Sequence, residues 1–214
     1  MEKGSKRFEA FAPAFDGFPA YLHLLNLDHG TEPLSLVATC CRASADVDSD
    51  IALLLNDLDW RSHLVGGIAL CFVPFRAERL AHLWHAFDSG SWVTPQLAAI
   101  ASVRDPGFVA LARVRLQALC PVIDSGCGEL SAPERHVLRG PAGNSQRSAK
   151  AAASLVEMLT LEARPPDWLA AALSSPELSS LLAQDVDQSR EIAKHWVTNL
   201  RALLREFDTG LSSG

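Results

Sequence analysis

Apolar positions along this chain recur every three or four residues far more often than every second one. The last such stretch, Asp187–Phe207, shows the pattern most clearly. Ile192, Trp196, Leu200, Leu203, Leu204 and Phe207 fall on one stripe of a 3.6-residue helix. Acidic residues open that stretch and Arg201 and Arg205 lie near its end, which suits the helix dipole. Punctuation elsewhere is also helical. Thr94-Pro95, Asp105-Pro106 and Ser175-Pro176 each predict a side-chain cap followed by proline at the first helical position. Ser131 and Glu134 have capping-box spacing. Strand signals are poor, with a single Tyr and little strict alternation. The predicted fold class is all-α.

An internal echo organises the first half. Trp60-Arg-Ser-His-Leu-Val-Gly-Gly-Ile-Ala-Leu-Cys-Phe-Val-Pro74 aligns with Trp92-Val-Thr-Pro-Gln-Leu-Ala-Ala-Ile-Ala-Ser-Val-Arg-Asp-Pro106 at an offset of 32. Trp, Ile, Ala and Pro coincide, and the small pair Gly66-Gly67 falls on Ala98-Ala99. An apolar helix precedes each Trp: Ile51–Leu58, and Leu80–Phe87. An earlier copy runs from Tyr21–Leu27 through a turn at 28–33 to Leu34–Arg42. Two helices per unit at this period predict hairpins that bury their apolar faces only by stacking.

At these residues the chain resembles HEAT repeats. Asp57, Asp59 and Arg61 match the acid that closes a first helix and the basic residue that opens the second, while Gly66 and Gly67 replace the usual alanines. In the next unit Val93 stands where Arg61 would be. The resemblance covers roughly residues 20–120. It implies a HEAT-like α-solenoid of stacked helical hairpins with a C-terminal helical cap, read as a single helical domain. Its parts are a repeat-like segment at 1–119, a loop at 120–148 rich in Gly and Pro, and C-terminal helices at 149–214. Those later helices are predicted near 148–163, 167–174, 176–184 and 187–207. Phe8, Phe11, Phe15 and Phe18, spaced 3, 4 and 3 apart, predict a cover for the first repeat.

Composition narrows the function. With 48% apolar and 21% charged residues the chain is a folded globular class rather than a disordered one. The formal net charge is −6, and no basic stripe exists, so nucleic acid is not an expected partner. Likeness to the HEAT-like alkylpurine glycosylases is set aside on the same ground. The longest uncharged apolar run, Leu64–Phe75, has about half the ~20 residues of a membrane span, so no membrane association is expected. Residues 1–15 carry bases without an apolar run behind them, so a cytoplasmic address is expected. The five cysteines (40, 41, 71, 120 and 127) are odd in number and lack a C-x-x-C pair, which fits a reducing compartment. Fifteen Arg against four Lys fit a GC-rich bacterial genome.

Candidate chemistry is sparse. Asp46-x-Asp48-x-Asp50 copies the first ligands of a calcium loop, but Ile51 and Asp57 stand where that loop needs Gly and a bidentate Glu. A helix start rich in capping acids is the expected use. His82 and His85, three apart, have only His63 as a third candidate ligand, so no metal and no cofactor are expected. Cys127 between two glycines, with His136 nine residues on, lacks the surroundings of a catalytic thiol. No catalytic residue is assigned.

Asp46, Asp48, Asp50, Asp57 and Asp59 form an acidic edge with no base among them, suited to steering a basic partner. Together with Trp60, Arg61, His63 and Trp92 they are the expected protein-binding residues. A small acidic domain of this kind resembles bacterial immunity proteins, which neutralise a toxin. That resemblance implies a basic toxin domain as partner. The alternative is an enzyme or small-ligand-binding protein using the 120–148 loop, through Cys127, His136 or the His82/His85 pair.

Overall fold

The computed structural model describes residues 9–15, 20–120 and 145–211. Among them every regular element is a helix. A 3-10 turn (Glu9–Ala14) precedes α1 (Ala20–Asn26), α2 (Glu32–Ala43), α3 (Val47–Leu55), α4 (Trp60–Ala69), α5 (Ala77–Asp88), α6 (Thr94–Arg104) and α7 (Phe108–Leu119). Then come α8 (Ser145–Thr160), α9 (Asp167–Leu173), α10 (Pro176–Leu182) and α11 (Ser189–Leu211). Among the described residues no helix is long and apolar enough to cross a membrane. The chain divides into two units, one of residues up to Ala86 with those from Trp196 onward, the other Phe87–His195.

In the first unit α4 is the central element. Every residue from Ser62 to Leu70 is buried, so this helix has no solvent face. It packs on α1, α2 and α3, and α1 and α2 pack on each other. Leu64, Val65 and Ile68 are fully buried and contribute about 1.5–3 kcal/mol each. The closest approach is at Gly66, where an added Cβ would lie 2.9 Å from Leu54 Cβ and 3.1 Å from Leu55 Cγ. The α11 stripe closes this unit through buried Trp196, Leu200 and Leu203, and Trp196 Nε1 donates to the Leu24 carbonyl at 2.9 Å. Phe11 is fully buried and the 3-10 turn packs on α2, while Phe8 and Phe18 lie outside the described residues.

In the second unit α8 takes the central place. Ala151–Leu159 are all buried, and α8 packs on α6, α7 and α10. Its one buried acid, Glu157, accepts from Arg190 Nε at 3.0 Å. Arg115 grips Asp88 with two bonds of 2.8 Å, a geometry that satisfies both partners of a largely buried pair.

The cap expectations divide. Ser175 caps α10, its Oγ accepting from the Leu178 amide at 3.2 Å, with Pro176 behind it. Thr94 is already helical, and its hydroxyl donates backward to the Ser91 carbonyl instead of capping. Asp105 closes α6 and accepts from the Gly107 amide at 2.8 Å, so Pro106 sits in the inter-helix turn and α7 starts at Phe108. Ser131 and Glu134 lie outside the described residues.

Residues paired by the 32-residue echo share local placement but not environment. Trp60 opens α4 and Trp92 stands two residues before α6, while Gly66-Gly67 and Ala98-Ala99 are buried in both helices. Trp60 is half-buried, whereas Trp92 is 58% exposed. Gly66→Ala is expected to lower unfolding stability by roughly 1–2 kcal/mol despite the better helix propensity of Ala, since Leu54 Cβ cannot rotate away. Urea unfolding measures it, with Gly30→Ala, at φ +69 in open space, as the purely backbone control.

Candidate functional site

The acidic edge is built around the junction of α3 and α4 in the first unit. Asp46 caps α3, its Oδ1 accepting from the Ser49 amide at 3.1 Å. Asp50 accepts from Ser44 Oγ at 2.6 Å. Asp48 has a different use. Its Oδ2 accepts from Arg76 at 2.7 Å and its Oδ1 from Arg79, whose guanidinium is buried and also donates to the Pro74 carbonyl at 2.6 Å. The bond from Arg79, then its charge and that of Arg76, hold the Asp48 carboxyl below the usual range against a smaller effect of burial. The calcium-like triplet therefore has three separate sets of partners. Among the described residues no group of three His, Cys, Asp or Glu could hold a metal ion.

Sequence periodicity predicts a helix through Leu58, but α3 ends at Leu55. Asn56 ends it, its amide and its side-chain Nδ2 both donating to the Ala52 carbonyl, at 3.0 and 2.7 Å. Asp57 then accepts from the Leu58 amide at 2.7 Å and from Ser62 Oγ at 2.8 Å. Asp59 caps α4, accepting from the Arg61 amide at 3.0 Å. Leu58 is left on the outside of this tied turn, 100% exposed between two carboxylates. Sequence reasoning missed it because position 58 continues the Ile51, Leu54, Leu55 stripe, which is buried.

Arg61 also donates to Asp59, at 3.2 Å, and lies over the Trp60 ring at 4.7 Å and the Tyr21 ring at 5.2 Å. Tyr21 meets Trp60 edge-on at 5.8 Å, so an α1 residue supports the start of α4. His63 is buried beneath the turn at 5% exposure, and its Nε2 donates to the Asp57 carbonyl at 2.7 Å. Burial holds its imidazole below the usual value, with His85 adding to the effect and Asp57 and Asp59 opposing it. Residues 46, 48, 50, 57, 59, 60, 61 and 63 thus all lie on or beside the α3–α4 hairpin. Trp92 belongs to the second unit, where Lys150 Nζ donates to its carbonyl at 3.0 Å and lies 5.8 Å from its ring centre.

Other chemistry is spread thinly. Cys40 and Cys41 are buried, and burial with the neighbouring Cys40 charge pushes the Cys41 thiol up to about 12, well away from nucleophilic use. A cavity of about 550 Å³ lies along α1 and α2, where the His23 and His29 rings meet edge-on at 4.0 Å. Cys127 and His136 lie outside the described residues. Comparisons with protein-family models, curated proteins and solved structures find no match.

Because Asp48 is held below its unfolded value, its contribution to stability is full above the ordinary carboxylate range near 3.9 and is lost as pH falls through it. Asp48→Asn is expected to lower the thermal midpoint at pH 7 and to flatten the acid limb of stability below pH 4, as measured by calorimetry across pH.

Proposed function

We propose that this protein is a protein-binding module, a cytoplasmic bacterial immunity or inhibitor protein that neutralises a toxin or effector by docking its α3–α4 turn against a basic surface. The observation that carries this reading is Leu58, fully exposed on a turn whose flanking residues are all hydrogen-bonded. A lone surface leucine is commonplace, but this one is presented by an ordered turn. Order matters because a pre-organised contact loses little entropy on association. The carboxylates of Asp46, Asp50 and Asp57 accept from neutral donors, so their charge is left to act on a partner. Leucine and acids together fit an apolar socket ringed by Lys and Arg.

The finer architecture belongs to the same proposal. The α1–α2 and α3–α4 pairs are two HEAT-like hairpins, and the packing of α4 on both α1 and α2 supports stacking of one on the other. Their turns would then form the edge that meets the partner.

The test is native capture by the tagged chain, followed by calorimetric titration of the recovered protein. The expected result is one basic partner whose affinity falls as salt rises, and at least about 30-fold with Leu58→Asp, the size of a binding hot spot. Unfolding of Leu58→Asp should match the parent, since position 58 is outside the core. Equal affinity for parent and variant, or no partner at all, overturns the proposal.

A further inference from the structure

We propose that the cavity along α1 and α2 is a binding site for a small organic cation, a primary ammonium carried on a compact apolar body. It does not rest on the docking role given to the α3–α4 turn. The cavity measures about 550 Å³, within the ~300–1,000 Å³ of pockets that enclose small molecules. Much of its lining is one helix face. Glu32, Ser35, Leu36 and Thr39 follow the three-and-four spacing that aligns side chains along α2, and buried Pro33 joins them. His23 of α1 and His29 of the α1–α2 turn complete the lining. That turn passes through two left-handed residues, Leu27 at φ 54 and Gly30 at φ 69. His29, between them, meets the His23 ring edge-on at 4.0 Å. A left-handed leucine is strained, and burial of Leu27 to 5% exposure holds it there. The core therefore fixes the turn that supplies part of the cavity wall.

Hydrogen bonds within the protein decide which groups are left for a ligand. Thr39 Oγ1 donates to the Ser35 carbonyl at 2.8 Å and accepts from Arg42 at 2.9 Å. His29 Nε2 lies 3.1 Å from Asp28 Oδ1. The Glu32 carboxylate and the Ser35 hydroxyl have no side-chain partner among the described residues, and they stand one helical turn apart on the same face. A carboxylate only accepts and a hydroxyl oxygen also accepts, so the pair suits a group with several hydrogens to donate. An ammonium has three. Charge points the same way, because Asp28 adds a second acid beside His29 and an anion would meet repulsion from both. A bare metal ion does not fit, since among the described residues no group of three His, Cys, Asp or Glu could hold one. The remaining match is a cation that brings its own donors and its own apolar surface. Its head would bond to Glu32 and Ser35, and its body would cover Leu36, Pro33 and the imidazole rings.

The test adds phenethylamine to the full chain at pH 8.0, where a primary amine keeps its charge. Binding is followed by backbone amide NMR and by calorimetric titration. Two controls share its body: 2-phenylethanol has no charge, and 3-phenylpropanoate has the opposite one. The expected result is saturable shifts confined to α1, the 27–31 turn and α2, with the amine bound at least about tenfold more tightly than either control. In Glu32→Gln that preference should vanish, the amine falling to the level of the alcohol while the alcohol binds as it does to the parent. Position 32 is exposed, so the unfolding of this variant should match the parent. Absence of saturable shifts at these residues overturns the site. So does equal binding of amine and either control in the parent, which needs no variant. An unchanged preference in folded Glu32→Gln overturns it as well.

Discussion

The closeness of α3 to α4 is the constraint on which the rest of the first unit depends. A helix buried from Ser62 to Leu70 has to be approached from several sides at once, and Gly66 lets Leu54 and Leu55 come nearer than any Cβ would allow. The gain is dispersion and apolar burial along α4, distributed over many contacts. The cost is a chain that must reverse within four residues, Asn56 to Asp59. Each backbone group of such a tight reversal needs a partner. The turn is consequently built from Asn56, Asp57 and Asp59, and its remaining residue, Leu58, is displayed. Core geometry and surface feature have one origin.

Charge is used in two ways along the same edge. Asp48 lies where buried Arg79 needs a counter-ion, and it is bound there with Arg76. Removing Asp48 would leave the buried Arg79 guanidinium without its carboxylate partner, a larger loss than breaking an exposed pair. Asp46 and Asp59 act as helix caps, where a side-chain oxygen satisfies an orphan amide and the negative charge suits the helix start. Capping does not consume the charge. An edge can therefore be structural in its hydrogen bonds and still be negative to an approaching surface.

Most of the helical content was legible from residues alone. The period of three to four places α4, α5, α6 and α11 within a few residues of where they occur, and Ser175-Pro176 behaves as a cap and first-turn proline should. The failures share a cause. At Thr94, Asp105 and Leu58 the local signal was real, but a neighbour competed for the same group: the Ser91 carbonyl, the Gly107 amide and the Ala52 carbonyl took the hydrogen bonds. The two-residue motif does not contain that information. The candidate site was legible as a stretch, since the residues from Asp46 to His63 share one hairpin, but not as an arrangement. Asn56 followed by an acid on each side of Leu58 was the available signal, three polar groups suited to a turn interrupting an apolar stripe.

Contacts to the turn and the helix start behind it come from three directions, and this bears on how a small surface is held rigid. Tyr21 of α1 supports Trp60 and Arg61, His63 of α4 holds the Asp57 carbonyl, and His82 of α5 holds Asn56. The first support is aromatic, the Tyr21 ring meeting Trp60 edge-on and lying under the Arg61 guanidinium. The other two are imidazole hydrogen bonds, from a buried ring at His63 and from a ring on α5 at His82. Two histidines from different helices thus meet Asn56 and Asp57, the two residues that follow α3, and Leu58 is the residue of the turn whose side chain is left fully exposed.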